Sequence, residues 1–234
     1  MHDKRLAGGP GFGAAGRPAR VQRQAKPTTV ESLDVAQLIA LAAVLGFVSG
    51  IRLYAVLLVV GLVGYAGWVD LPAGLGILQH PWVLGTAGLM FLVEFIADKI
   101  PGVDTVWDSI QTFIRIPAGA ALAAAVFGGL DSAVWSTMAA ILGGSLAATS
   151  HFTKAGTRAA ANTSPEPFSN LGLSVAEDIT SAGLLWLVLT YPLVALGLVV
   201  VLALLAAWLL PRLIRFIARV VRRIFGGGPS GAGP

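Results

Sequence analysis

The chain carries few charges, and several stand inside apolar runs where they are costly. Arg52 sits in the middle of Gly46-Phe-Val-Ser-Gly-Ile-Arg-Leu-Tyr54. A guanidinium is planar and binds phosphate or carboxylate through two parallel N–H donors, so Arg52, with Ser49 beside it, is a candidate anion site. The competing role is an ion pair with Glu94 or Asp98 that fixes helix packing. Glu94 and Asp98 are four residues apart, on one helical face, where two carboxylates can share a proton or hold a cation. Asp104 and Asp108 repeat that spacing, with Lys99 and Arg115 as ordinary partners. His151, Lys154 and Arg158 form a basic face at three- and four-residue steps, ready for an anionic head group. Glu177 and Asp178 are proton-relay candidates opposite that face. Their other explanation is structural, because acids in a first helical turn complement the helix dipole.

These groups need elements to hold them, and the composition says what kind. Of 234 residues, 56% are hydrophobic and only 12% charged, against about 25% charged in soluble domains. Mean hydropathy is +0.78. The chain therefore reads as all-α and polytopic in a membrane, with four to six membrane segments. With no cysteine, disulfides, zinc–thiolate sites and thiol catalysis are excluded. No nucleophile elbow, P-loop, dinucleotide fingerprint or metalloprotease helix is present. No enzyme activity and no cofactor are expected; His151 lacks metal-ligand spacing, and whether any metal binds is left open.

The first apolar run, 35 to 69, is too long for one crossing and short for two, since each crossing needs about 20 residues. A re-entrant hairpin or a broken helix fits, with its break at Ser49-Gly50. A clearer span covers 81 to 97. Residues 98 to 115 are amphipathic and too polar to cross lipid alone, and the Ala/Gly-rich stretch 117 to 130 suits close helix packing. The run 133 to 161 starts apolar and turns polar at membrane depth. A helix over 173 to 189 opens with Glu177 and Asp178. Leu41-Ala-Ala-Val-Leu-Gly46 matches Met138-Ala-Ala-Ile-Leu-Gly143, as in an internal repeat. An inverted repeat would give the layout of secondary transporters.

Residues 1–34 are expected to form a disordered basic cytoplasmic tail, 35–210 the transmembrane domain, 211–225 a basic amphipathic helix on the bilayer surface, and 226–234 a second tail. Lys/Arg excess at both ends places both termini in the cytoplasm and makes the number of crossings even. The bilayer itself, anionic lipids at the basic tails and a second copy in a homodimer are the expected partners. Nucleic acid is not one, because the positive charge (net +4) sits beside apolar runs.

Taken together, Ser49-Gly-Ile-Arg-Leu-Tyr54, Ala97-Asp-Lys-Ile-Pro-Gly-Val-Asp104, Ile116-Pro-Ala-Gly119, His151-Phe-Thr-Lys-Ala-Gly-Thr-Arg158, Asn162-Thr-Ser-Pro-Glu-Pro167 and Glu177-Asp178 resemble domain-of-unknown-function family 4126. Ala-Asp-Lys-Ile-Pro is the most specific string. The resemblance implies a bacterial multi-pass protein of the inner membrane and no particular reaction. Paired re-entrant segments with a central Arg are also similar in layout to DedA-type proteins, without a shared motif. The expected function is a small ion- or proton-coupled transporter of an anionic substrate such as a lipid phosphate. Arg52, Lys154, Arg158 and Ser49 would bind the anion; Glu94, Asp98, Glu177 and Asp178 would couple protons or ions. A cation channel or divalent-cation carrier using Glu94, Asp98, Asp104 and Asp108 is the alternative, and a non-transporting scaffold or assembly factor the next.

Overall fold

A computed structural model describes residues 33–128, 133–163 and 167–225. The expected tails, 1–32 and 226–234, lie outside the described residues. Six α-helices follow in order: α1 (Val35–Tyr65), α2 (Pro81–Ala97), α3 (Val103–Val126), α4 (Ala133–Ala161), α5 (Pro167–Thr190) and α6 (Pro192–Phe225). A 3-10 helix, Ala73–Gln79, precedes α2 at an angle of 70°. The described residues contain no strand. Helices α1 and α3 to α6 are long and apolar enough to cross a membrane, and the bent pair before and through α2 makes a sixth candidate.

Helix α1 starts on a capping box, Asp34 with Gln37, and is the most buried element. It packs against all five other helices. It is not one straight rod, because Arg52 leaves helical geometry at φ −142° and ψ 73°. The contacts on either side give its path. In the first half, Gly46 meets Gly143 and Gly119, Gly50 meets Ala147, and Lys154 reaches the Ile51 carbonyl. That half therefore runs parallel to α4. In the second half, Gly88 of α2 meets Leu58, Gly61 meets Leu84 and Leu78, and Gly64 meets Leu71. This half runs antiparallel to α2. Helix α2 is itself antiparallel to α3, with Glu94 on Arg115 and Gly74, just before α2, on Ala125. Residues near 40 and near 61 thus lie at the same end of the bundle, and α1 is a re-entrant hairpin turning at Arg52. The turn falls two residues beyond the Ser49-Gly50 break expected from sequence.

Helices α2 to α6 then pass alternately through the bundle. Val35 begins at the hairpin's open end. Helix α6 starts at that end, with Leu196 and Val199 beside Ile39 and Ala43, and leaves at the other, with Leu213 on Gly156. Five passes and a hairpin set the two described ends of the chain on opposite faces. The hairpin returns toward the end it started from, so it adds no pass of its own. The basic segment 211–225 is continuous with α6, which runs on through Pro211.

Helix α3 joins the segments 98–115 and 117–130 that polarity had separated, with Pro117 inside it. Its polar residues Asp104, Asp108, Gln111 and Arg115 are buried against protein, so lipid never meets them. Gly102, at φ +86°, turns the chain from α2 into α3, a backbone region few other residues tolerate. Helix α5 starts six residues earlier than expected. The matched segments ending in Gly46 and Gly143 do touch, and both run in the same direction. An inverted repeat would set them in opposite directions, so these two segments are not related in that way. Small residues let these backbones approach.

Candidate functional site

The hairpin turn carries Arg52 into the bundle's most polar region, where it is fully buried. Arg52 Nη1 lies 2.8 Å from Asp98 Oδ2, and Nη2 lies 2.8 Å from Asp178 Oδ1. Nη2 also donates to the Ser174 hydroxyl and carbonyl, at 3.2 and 3.4 Å. The end of a helix leaves carbonyls without partners, and at this turn α4 supplies donors for them. Ser150 Oγ donates to the Phe47 carbonyl at 2.7 Å, and Lys154 Nζ to the Ile51 carbonyl at 3.1 Å. An ammonium there also complements the negative end of the half-helix.

Lys154 and Arg158 are one turn apart on α4 and face the same two carboxylates as Arg52. Asp98 Oδ2 is 2.8 Å from Lys154 Nζ and 3.6 Å from Arg158 Nη2. Glu177 Oε2 is 3.3 Å from Lys154 Nζ, 2.6 Å from Arg158 Nη2 and 3.9 Å from Arg52 Nη2. Three cations from two helices thus converge on one oxygen of each acid. Arg158 completes a two-point grip on Glu177 through Nε to Oε1 at 3.0 Å, and its Nη1 donates to the Asp98 carbonyl at 2.6 Å.

A second group adjoins this cradle. Arg115 binds Glu94 at 2.5 Å and Asp108 at 2.9 Å, and its Nη1 lies 3.4 Å from His151 Nδ1. His151 Nε2 is 2.7 Å from the Thr112 hydroxyl. Asp108 also lies 3.5 Å from Lys154, linking the groups. Asp104 accepts from Asn162, from Thr105 N and from Gly102 N, and lies 3.5 Å from Arg158.

The ion pairs join four cations, Arg52, Arg115, Lys154 and Arg158, to six carboxylates, and Lys99, which donates to the Ser174 hydroxyl at 3.5 Å, leaves a net excess of one formal negative charge. Burial makes each charge expensive unless it is fully paired. Yet Glu94 Oε2, Asp98 Oδ1, Asp108 Oδ2, Arg52 Nε, Arg52 Nη1 and Arg115 Nε are buried without a hydrogen bond. Arg52 Nη1 therefore sits at ion-pair distance from Asp98 without hydrogen-bond alignment. Only Glu177 and Asp178 reach outward among the acids, with side chains 12% and 31% exposed. In the turn after α2, Lys99 lies over the Phe95 ring. Burial holds its ammonium below the ordinary lysine range, while Asp178 pulls the other way. A cleft of about 210 Å³ between α1, α4, α5 and α6 includes Lys154 and Glu177 in its lining.

Of the residues singled out by sequence, Arg52, Lys154 and Arg158 come together with Asp98, Glu177 and Asp178. Glu94 is brought to Arg115 instead of to Arg52. Ser49 does not join the site: its hydroxyl is spent on the Leu45 carbonyl one turn back, at 2.5 Å. Glu177 and Asp178 lie in the third turn of α5, too deep for the dipole explanation. The alternative cluster of Glu94, Asp98, Asp104 and Asp108 is divided among four cations, Arg52, Arg115, Lys154 and Arg158, and the described residues contain no group of three acids or histidines able to hold a metal. Sequence reasoning missed Ser174, Asn162 and the Ile51 carbonyl; nothing in a lone Ser, a lone Asn or a backbone oxygen distinguished them.

The family model described as "Domain of unknown function (DUF4126)" matches residues 39–212. None of the curated proteins and none of the solved structures matches the chain. The match spans most of the chain and every residue of the network, and the chain belongs to this family.

Proposed function

We propose that this multi-pass member of the DUF4126 family is a small ion- or proton-coupled transporter of an anionic substrate, with Arg52, Lys154 and Arg158 as its anion site. The observation that carries the reading is the convergence of these three cations on single oxygens of Asp98 and Glu177, at the turn of a buried re-entrant hairpin. A packing role needs only enough acid to pair each cation, as Arg115 has in Glu94 and Asp108. A threefold cationic cradle on shared carboxylate oxygens is more than packing requires, and buried ion networks seldom add stability. Ionisable groups at such depth usually serve transport paths or proton relays. The carboxylate excess supplies the coupling: Glu94, Asp98, Glu177 and Asp178 would carry protons or a counter-cation as the anion enters and leaves.

A bacterial inner membrane is the setting we propose, with the α6 end in the cytoplasm. Arg212, Arg215, Arg219 and Arg222 form one face of α6 there and meet no carboxylate within 4 Å among the described residues. Such a stripe suits anionic lipid.

The test is binding by the purified protein in detergent, followed by calorimetry with inorganic phosphate and with dioctanoyl phosphatidate. Wild type should bind at least one of them. Arg52→Gln and Lys154→Gln, verified as folded by their melting curves, should each weaken binding about tenfold or more, the worth of one charged hydrogen bond. Folded variants with unchanged binding would remove the anion site.

A further inference from the structure

The two acids in the cradle are not equivalent. Asp98 is fully buried, and its backbone carbonyl is fixed by Arg158. Glu177 belongs to α5, is part exposed, and stands where the cleft meets the cradle. Its Oε2 is the atom that Arg158, Lys154 and Arg52 all face. Chemically it is a carboxylate held as an arriving anion would be held.

Resting on the anion-site reading, we propose that Glu177 is an exchangeable stand-in for the substrate anion, and that the anion replacing it enters from the lipid side with an apolar tail attached. The substrate class is then a lipid-borne phosphate or carboxylate. The cleft gives the direction. Lys154, Glu177 and Thr180 line it together with Leu202, Leu205 and Leu209 of α6, and of these Lys154 is buried. Leu205 is 53% exposed on the bundle surface, so this leucine wall opens toward acyl chains. At about 210 Å³ the cleft holds the volume of roughly seven waters at about 30 Å³ each. That takes a head group and the first carbons of a chain, with the rest lying along α6 in the bilayer. A small hydrated anion would gain nothing from the leucine wall, whereas an amphiphile buries apolar surface on it.

Exchange also explains why the cradle is overbuilt. While Glu177 occupies it, the apparent affinity for an outside anion falls by the fraction of time the site is free. Removing that occupant should therefore tighten binding.

The experiment uses full-length protein in phosphatidylcholine nanodiscs, titrated with dioctanoyl phosphatidate and, separately, with inorganic phosphate. Glu177→Gln should bind both probes about tenfold more tightly than wild type, for an occupant that leaves the site free about a tenth of the time. Glu177→Asp, which shortens the reach by one methylene, should fall between and serves if the Gln variant does not fold. Leu205→Trp, which narrows the cleft, should weaken dioctanoyl phosphatidate by about fivefold or more and leave inorganic phosphate unchanged, since the loss is apolar contact alone. Weaker or unchanged binding in Glu177→Gln and Glu177→Asp would overturn the exchange. Equal affinity for the two probes, with Leu205→Trp silent, would overturn entry from lipid. If Arg52→Gln abolishes phosphate binding while the Glu177 variants change nothing, the anion site stands and this inference falls. If neither dioctanoyl phosphatidate nor inorganic phosphate binds wild type or Glu177→Gln, both fall together.

Discussion

Gly46→Ala isolates the packing that positions the cradle. A Cβ built at Gly46 lies 2.5 Å from Gly143 Cα, 2.8 Å from its carbonyl oxygen and 3.1 Å from its carbonyl carbon. All three atoms are backbone, so no rotamer change relieves the clash; α1 and α4 must separate by about 1 Å to reach ordinary contact. Overpacking of this kind costs about 1–3 kcal/mol. At about 3 °C per kcal/mol for a chain of this size, the melting temperature should fall by roughly 3–9 °C. Arg52 lies six residues further along α1, about 9 Å at 1.5 Å per residue, so the same displacement reaches the cradle and should weaken anion binding. Gly197→Ala is the control: it lies in α6 and a Cβ there meets nothing within 4 Å. Alanine's better helix propensity should raise stability there by about 0.4–1 kcal/mol. The readout is thermal unfolding of purified protein in one detergent. If Gly46→Ala melts at or above wild type, as Gly197→Ala should, the two backbones are not in contact and the parallel packing is refuted.

Because the chain has no cysteine, single-cysteine variants can map its path. In oriented proteoliposomes, Val35→Cys and Trp68→Cys should react with an impermeant maleimide from one side, and Val221→Cys from the other; labelling of Val35→Cys and Trp68→Cys from opposite sides would show that α1 crosses. Charge reversal should rescue true partners only. Glu94→Arg with Arg115→Glu should recover part of the roughly 3–5 kcal/mol lost when one member of a buried pair is removed, measured as folded yield, whereas Glu94→Arg with Arg52→Glu should recover none. Ser150→Ala removes a bond from α4 to the Phe47 carbonyl and should cost about 1 kcal/mol. Ser49→Ala removes only a bond to its own helix and should melt within about 0.5 kcal/mol of wild type; equal losses would contradict the assignment.

Much of the fold was legible because bilayer thickness converts length into topology. A run of 35 apolar residues interrupted by Gly, Ser and Arg has few ways to lie in a membrane, and the hairpin is one of them. The exact turn was not legible, since Ser49 and Gly50 look like better helix breakers than Arg52. What places the turn at Arg52 is the set of partners on α2 and α5, from residues 46 to 126 positions away. The same blindness split α3. Asp104, Asp108 and Arg115 look too polar for a membrane helix until Arg158, Lys154 and Glu94 are seen to neutralise them. In the site, spacing along one helix correctly grouped Lys154 with Arg158 and put Glu94 and Asp98 on one face. It could not say that Glu94 and Asp98 would serve different arginines. It also placed Ser49 by proximity to Arg52 in sequence, where the helix directs the hydroxyl to its own backbone. A charge rule applied to the two ends could not show the hairpin, because it takes every apolar run as a crossing.

The most direct test of the account is translocation itself. Proteoliposomes of wild-type protein, loaded with dioctanoyl phosphatidate and given an inward or outward pH gradient, should release or retain the lipid in a gradient-dependent way, and folded Arg52→Gln should reduce the rate to that of empty liposomes. Gradient-independent movement equal in wild type, Arg52→Gln and protein-free vesicles would contradict a coupled anion transporter centred on this cradle.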